Sequence, residues 1–356
     1  MTCLQGKRAL RSRWRSVAVA LAIAQTGGIG CADEPKVPLT QLQTDPVADP
    51  AGCTWQPPVV QGALSSAVLN EISGIAASRR HPGRLWVHND SGAKPELHLL
   101  QPTGQQVLTL YLVGAPHTDW EDMALEKCPP QLGPSPGLQG GDCLWVADIG
   151  DNAESRTKIE ILVVPEPADL PPANRSPAGL APHKVEVAKD GWRAIEVTYP
   201  DGAHNAEAMA LLPGGWALIL TKRDDGKSAL YRAAALKAMS SKDGKIKAEY
   251  LGLLDLSAAG VATGERLRTT AADFDPASSR LAVRTYGSIQ LFDNAQLLTQ
   301  ASPPEVAAQV ANWHGFLLPS PAEPQGEALA FQGAKRWVSV TEGPAAKIFA
   351  GECTGP

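Results

Sequence analysis

Apolar and polar residues recur along this chain in short blocks that form pairs of predicted strands. In each pair an acidic or hydroxyl residue opens a short apolar strand, a turn follows, and a second apolar strand ends in polar or charged residues. The five pairs join residues 73–76 with 85–90, 121–124 with 144–148, 207–210 with 216–222, 270–274 with 281–286, and 327–330 with 337–342. Repeats that continue to the C-terminus indicate an all-β fold in one closed domain.

Repeats of short strands are typical of a β-propeller, because one unit cannot bury its own faces and must stack on its neighbours. Five repeats predict five blades, and six blades remain an alternative if the long segment after the second repeat contains a further unit. A lone predicted strand at 57–64 would complete the last blade beside the strand at 347–350. Such pairing closes the ring by converting two open sheet edges into a paired one.

One side chain per repeat occupies the opening position of the first strand, which lines the channel of a propeller. We call these five the ring residues: Ser73, Glu121, Glu207, Thr270 and Glu327. Three carboxylates that converge on one ring repel one another unless a cation lies among them. Ligands that offer only oxygen suit a hard ion, and a flexible shell of several oxygens favours Ca²⁺ over Mg²⁺. The pattern therefore predicts a central calcium ion; the alternative is that the ring residues bond neighbouring backbone groups.

The ends of the second strands share a face with the ring residues and supply candidate catalytic groups. The charged and phenolic residues predicted at this face are Asp90, Asp148, Asp151, Lys222, Arg284, Tyr286 and Glu342. Lys222 and Arg284 suit the binding of a phosphate or carboxylate, and Asp90 or Asp151 suits the orientation or deprotonation of a water molecule. The alternative for the aspartates is a structural turn, in which Asp and Asn bond their own backbone.

The N-terminal segment predicts export. Residues 1–31 combine a basic start with a short apolar core and end at Cys31 in a sequence similar to a bacterial lipobox. We expect a lipid anchor at Cys31 and a location in the periplasm, at the outer membrane or at the cell surface; simple secretion is the alternative. Residues 32–52 are Pro-rich and aperiodic, which predicts a tether, and 53–356 would form the propeller.

The remaining cysteines, Cys53, Cys128, Cys143 and Cys353, allow three disulfide pairings. Cys128 and Cys143 bracket a Pro- and Gly-rich insertion, and Cys53 and Cys353 lie at the two ends of the predicted body. Because a propeller must join its ends, we favour the pairs 53–353 and 128–143. Disulfides fit an exported protein.

Composition excludes several functions. The 356-residue chain has 44% hydrophobic residues, as a globular protein does. Its net charge of -5 does not indicate the excess of basic residues with which proteins bind nucleic acid. Neither a GxSxG elbow nor a phosphate-binding or dinucleotide-binding glycine motif is present. The expected partner is a small anionic substrate or a surface ligand, and the expected state is a monomer.

The ring residues, one per blade, resemble the central calcium site of five-bladed apyrases, the calcium-activated nucleotidases that hydrolyse nucleoside di- and triphosphates. The first repeat, 73–76 with 85–90, is similar to their first blade, and Thr270 stands where that family has a serine. The resemblance covers the inner strand pairs and implies a propeller fold and a bound calcium ion.

Four motifs, at 71–74, 88–92, 119–122 and 148–152, also resemble a broad set of exported bacterial propeller proteins, some described as phytase-like or esterase-like. That resemblance implies hydrolysis of a phosphate ester. We therefore expect an exported, calcium-dependent hydrolase of a phosphoric ester or anhydride in a small molecule. The alternative is a non-catalytic binding or scaffold propeller at the cell surface, with structural calcium.

Overall fold

Short strands of buried apolar residues form five antiparallel sheets that are arranged as the blades of a β-propeller. The computed structural model describes residues 45–132, 141–170, 182–257, 264–323 and 325–355. Within them the strands are β1 (Val47–Ala48), β2 (Thr54–Trp55), β3 (Val59–Ala63), β4 (Ile72–Ala77), β5 (Leu85–Asn89), β6 (Glu96–Leu100), β7 (Gln106–Leu112), β8 (Trp120–Lys127), β9 (Asp142–Asp148), β10 (Ile159–Pro165), β11 (His183–Val187), β12 (Arg193–Thr198), β13 (Ala206–Leu212), β14 (Trp216–Thr221), β15 (Lys227–Ala233), β16 (Lys245–Lys247), β17 (Glu249–Asp255), β18 (Thr269–Asp275), β19 (Arg280–Thr285), β20 (Ile289–Phe292), β21 (Phe316–Leu318), β22 (Gly326–Phe331), β23 (Arg336–Thr341) and β24 (Lys347–Thr354).

Each blade has four antiparallel strands in order from the channel outward. They are β4, β5, β6 and β7 in blade one, β8, β9, β10 and β12 in blade two, β13, β14, β15 and β17 in blade three, β18, β19, β20 and β21 in blade four, and β22, β23, β24 and β3 in blade five. The innermost strands contact one another in turn, and β22 of blade five contacts β4 of blade one. The prediction of an all-β, five-bladed propeller is confirmed.

The long segment after the second repeat does not form a sixth blade in its described part. Its strand β11 runs parallel to β7 and extends the outer edge of blade one, and its strand β12 becomes the outer strand of blade two. The short strand β16 then pairs parallel with β12. The alternative of six blades is therefore wrong for the described chain.

Short helices connect strands of blades three and four and lie outside the sheets. They are α1 (Ala235–Ser240), α2 (Leu297–Gln300) and α3 (Pro303–Val310). Helix α3 begins with proline, and the backbone N–H of Ser302 donates to the Glu305 carboxylate at 2.9 Å, which satisfies a donor at the helix start.

The ring closes in blade five, where the first and last strands of the body pair. Strand β3 pairs antiparallel with β24 as predicted, and β2 pairs with the end of the same strand. A disulfide between Cys53 and Cys353 joins the two ends across 300 positions of sequence, and a second one links Cys128 to Cys143. Both predicted disulfides are confirmed.

The predicted tether requires a correction in its last part. Strand β1 pairs with β2, and the buried Asp49 carboxylate accepts hydrogen bonds from both terminal nitrogens of Arg280 at 2.6 and 2.7 Å and from Trp55 Nε1 at 2.8 Å. A buried carboxylate with three donors belongs to the folded body, so the body begins before residue 53.

Residues 1–44, including Cys31, lie outside the described residues. No helix in the described part of the chain is long and apolar enough to span a membrane.

Large aromatic side chains fill the spaces between blades. Trp86, Trp145 and Trp337 are almost fully buried, as expected for residues that pack between blades. Trp86 Nε1 donates to the Glu166 carboxylate of blade two at 2.8 Å, and Ser78 of blade one donates to the same oxygen. The interface between blades one and two therefore carries a polar contact through one Glu166 oxygen, whereas Oε2 of the same carboxylate is buried without a hydrogen-bond partner among the described residues.

Two aspartates on the innermost strands bind backbone groups of other blades. Asp122 Oδ2 accepts the N–H groups of Met209 on β13 at 2.8 Å and of Ala272 on β18 at 3.0 Å. Asp273 Oδ2 accepts the N–H group of Phe331 on β22 at 2.7 Å. These carboxyl groups fix the innermost strands relative to one another, which holds the start of each strand in register with the next.

We expect loss of the Cys53–Cys353 disulfide to destabilise the protein more than loss of the Cys128–Cys143 disulfide. The chain-entropy relation gives about 6 kcal/mol for a closed loop of this length and about 3 kcal/mol for the shorter loop. Guanidinium unfolding of C53A/C353A and C128A/C143A under non-reducing conditions measures both losses. Equal losses of unfolding free energy, or a larger loss in C128A/C143A, would contradict a dominant role for the disulfide that joins the two ends in blade five.

Asp273 should make the stability depend on pH. Burial raises the pKa of the Asp273 carboxyl from 3.8 to about 7, so folding favours its protonated form. The contribution of Asp273 to the free energy of unfolding is complete below the pKa of this carboxyl in the unfolded chain. It is lost as the pH rises through about 7. Between about pH 5 and pH 8 we expect the wild type to lose about 2 kcal/mol of unfolding free energy relative to D273N. Urea unfolding across this pH range measures the difference, and parallel profiles would refute it.

Candidate functional site

Every innermost strand contains a β-bulge at its start, and the ring residue is the bulged residue in all five blades. The pairing skips one residue between 72 and 74, between 120 and 122, between 206 and 208, between 269 and 271, and between 326 and 328. A bulge leaves its extra residue outside the ladder and redirects its side chain. The ring residues thus share one backbone environment, and each is at most 4% exposed.

The two hydroxyl members of the ring residues make different contacts. Ser73 Oγ donates to Glu121 Oε2 at 3.2 Å and so joins blades one and two. Thr270 Oγ1 is shared between the backbone carbonyls of Gly326 and Glu327, at 2.7 and 3.1 Å. The backbone-bonding alternative therefore describes Thr270 well, whereas Ser73 contacts another ring residue.

Burial and mutual repulsion dominate the three carboxyl groups of the ring residues. Burial raises the pKa of Glu121 well above its usual value, and the charges of Glu207, Asp90 and Asp119 raise it further. Burial also raises the pKa of Glu207 to about 7, although Lys222 opposes the shift. The pKa of Glu327 is raised by burial and by the charges of Glu207 and Glu342. Each of these groups is therefore harder to ionise than a free glutamate, and a cation among them would favour their ionised forms.

Lys222 provides the positive charge that touches the ring residues. It follows strand β14 directly, and its backbone N–H donates to the Asn205 carbonyl at 2.9 Å. Its ammonium lies 2.5 Å from the Glu207 carboxylate and 4.8 Å from the centroid of the Tyr286 ring. The side chain is 15% exposed. The prediction places Lys222 at this face, and the structure brings it into contact with a ring residue.

A second acidic group adjoins the ring residues on the side of blades one and two. Ligand oxygens of Asp90, Asp119 and Glu121 all lie within 4.8 Å of one another. Burial, followed by the charge of Asp90, raises the pKa of Asp119 to about 6. Asp119 was not among the residues predicted at this face. The sequence nevertheless contains a pattern that includes it, since a polar residue stands two positions before every ring residue: Glu71, Asp119, Asn205, Arg268 and Gln325.

Gly150 explains how this acidic group fits beside the turn that follows β9. A Cβ atom at position 150 would overlap Glu121 Oε1 and the carboxylate of Asp119. The backbone N–H of Gly150 also donates to the Asp119 carbonyl at 3.1 Å. Glycine is therefore required here for space rather than for an unusual backbone angle.

Asp151 and Arg284 do not face an open basin. Asp151 Oδ2 accepts the backbone N–H of Arg156 at 2.7 Å, so its carboxylate closes the turn that contains it. Arg284 is 2% exposed, and its guanidinium forms a buried ion pair with Glu323. The Asp151 carboxylate therefore serves its own turn, which agrees with the turn alternative, whereas Nε and Nη1 of Arg284 are buried without a hydrogen-bond partner among the described residues. Asp90 is partly exposed and accepts the N–H of Ser91.

Asp148 also has a structural role. Its two carboxylate oxygens accept the backbone N–H groups of Thr118 and Asp119 at 2.9 and 3.1 Å, and Arg156 Nη1 lies 2.8 Å from the carboxylate. Asp148 was predicted at the face that carries the ring residues. Arg156, which lies in the loop before β10, was not. This ion pair orients the backbone that carries Asp119 and thereby the acidic group.

The fold and the site together define a five-bladed β-propeller with buried carboxylates at the start of its innermost strands. Neither a protein-family model nor a curated protein sequence matches the chain. Among solved structures it is similar to the PQQ-bound form of an aldose sugar dehydrogenase from Streptomyces coelicolor, with 11% sequence identity and a TM-score of 0.42. That alignment covers 87% of this chain and 100% of the other. A likeness at this level does not bear on what the ring residues bind.

We expect G150A to destabilise the protein by about 1–3 kcal/mol, because its methyl group would overlap two carboxylates. Urea unfolding of G150A measures the loss. The matched control is the E121A/G150A double variant, in which one of the overlapping groups is gone. The double variant should lose less than the sum of the two single variants; a strictly additive loss would show that position 150 and Glu121 do not interact.

Proposed function

We propose that the ring residues bind a calcium ion and that this end of the channel hydrolyses a phosphoric ester or anhydride of a small molecule. The observation that carries the proposal is Glu327, which is 4% exposed and whose carboxylate forms no hydrogen bond or ion pair with a described residue, so that only the charges of Lys222 and Arg284, which do not contact it, favour its ionised form. A buried carboxylate without a partner is costly, and cation binding would remove that cost. Its position as a bulged ring residue directs it to the place where Glu121 and Glu207 also lie.

Charge and ligand type favour a divalent hard ion. Three ionised carboxylates with one ammonium leave two negative charges uncompensated, which a divalent cation would balance. The donors on offer are the carboxylates and the hydroxyl oxygens of Ser73 and Thr270, which all suit a hard cation. A set supplied by five separate strands does not impose the compact octahedron that Mg²⁺ prefers, and this supports calcium. The resemblance of the ring residues to those of apyrases points in the same direction.

The groups for hydrolysis lie beside the ring residues. When bound, calcium supplies Lewis-acid polarisation of a phosphoryl oxygen. Lys222 offers its ammonium to the anionic group of the substrate. Asp119, with a pKa of about 6, suits proton transfer from water near neutral pH, and Asp90 lies beside it. Asp151 and Arg284, also predicted as catalytic residues, would first have to leave their present partners.

A second candidate is a non-catalytic binding propeller in which calcium is structural. The observation that favours it is the engagement of Arg284 with Glu323 and of Asp151 with its own turn, which leaves Lys222 as the described cation that pairs with a ring residue. In either case we propose an exported protein, anchored by lipid at Cys31, that acts as a monomer. Its two disulfides support an oxidising compartment.

Calcium should stabilise the purified protein, and E327Q should abolish that effect. With calcium at about a hundred times its dissociation constant, the stabilisation is about 2.7 kcal/mol, or about 5 °C in melting temperature. E327Q should gain nothing from calcium, because an amide replaces the carboxylate that would bind the ion. Differential scanning calorimetry with calcium or chelator measures both effects. The control is E186Q, at an exposed glutamate of β11. An identical calcium response in E327Q and E186Q would reject the calcium site.

Catalysis is tested by release of phosphate from a panel of nucleotides and phytate, with calcium and with chelator. Turnover that requires calcium and falls in K222A, with the fold retained, supports the hydrolase. If calcium raises the melting temperature and no substrate is turned over, the binding propeller is the correct candidate.

A further inference from the structure

Lys222 contacts a carboxylate that a cation bound by the ring residues would also need. We call the end of the channel at which the ring residues lie the channel mouth. Its ammonium lies 2.5 Å from the Glu207 carboxylate, and Glu207 is one of the ring residues proposed to hold a cation. The contact is close enough to occupy carboxylate oxygens that a metal would need. A divalent cation and the ammonium therefore compete for the same carboxylate, and each repels the other.

The ammonium has room to change partner without movement of the fold. Four methylene groups separate it from a backbone that the hydrogen bond to Asn205 holds in place. The Tyr286 ring, 4.8 Å from the ammonium, provides an aromatic face on which a cation is favourably placed. Partial exposure leaves a path from the ammonium to solvent, in contrast to the guanidinium of Arg284, which is enclosed with Glu323.

We propose that Lys222 couples the binding of a divalent cation to the binding of a phosphate-bearing anion at this mouth. In the absence of an anion, Lys222 pairs with Glu207 and weakens cation binding. An anion that takes the ammonium as its partner frees the Glu207 carboxylate for the cation. The inference rests on the proposed calcium site and specifies how that site is regulated.

Thermodynamic linkage makes the coupling reciprocal. If the anion strengthens cation binding by some factor, the cation strengthens anion binding by the same factor. Neither ligand needs to touch the other for this effect, because both act through the position of one ammonium. The site would then be filled efficiently only when cation and anion are present together, which suits a hydrolase whose metal acts on a phosphorylated substrate.

The test is a calorimetric titration of calcium chloride into the purified protein, with and without inorganic phosphate below the solubility limit of calcium phosphate. We expect phosphate to tighten calcium binding to the wild type by about 5- to 100-fold. In K222M calcium should bind about 10-fold more tightly than to the wild type without phosphate, and phosphate should have no further effect. The matched control is K158M, which removes a lysine that pairs with Glu196 far from the ring residues; it should behave as the wild type.

The outcomes separate the two proposals. Absence of calcium binding in all variants, with and without phosphate, rejects the calcium site itself. Calcium binding that is unaffected by phosphate in the wild type and unchanged in K222M rejects the coupling and leaves the calcium site intact. K222Q serves as a second variant if K222M does not fold. A phosphate effect of unchanged size in either variant rejects Lys222 as the coupling group.

Discussion

Repulsion among the carboxylates of Glu121, Glu207 and Glu327 is the interaction on which the arrangement of the channel mouth depends. Each of these residues is the bulged residue of its innermost strand, and the charge of Glu207 raises the pKa of both Glu121 and Glu327. Neighbouring groups compensate part of the charge, since Ser73 donates to Glu121 and Lys222 pairs with Glu207. Glu327 is left without such a partner, and this imbalance is what the proposed calcium ion and the proposed role of Lys222 both address.

The fold could be predicted from the sequence because the same pattern occurs five times. A polar residue that opens a short apolar strand is unremarkable once, but its repetition requires a structure in which five such positions are equivalent. Ring closure then predicted both disulfides, because only one pairing joins the ends of the body and also closes the short insertion. The count of five blades was less certain from sequence, since nothing local showed that β11 would join the edge of blade one.

The contacts of individual charged residues could be predicted much less well. Arg284 lies at the predicted end of a strand, yet its partner Glu323 is 39 residues away in a segment without a repeat pattern. Asp49 lies in a Pro-rich stretch that reads as a tether, and its partner Arg280 is 231 residues further along the chain. Periodicity predicts the face on which a residue lies. It does not predict which oppositely charged residue will pair with it. For the same reason the hydroxyl of Thr270 bonds backbone carbonyls while that of Ser73 reaches a carboxylate.

The Asp122 carboxyl has a consequence for the integrity of the propeller. It accepts N–H groups from β13 and from β18, a strand of a blade that does not adjoin its own, so one side chain joins three innermost strands beside the ring residue Glu121. Loss of this carboxyl would leave buried N–H donors in two other blades without their acceptor. Damage at one position of blade two would therefore be felt in blades three and four as well.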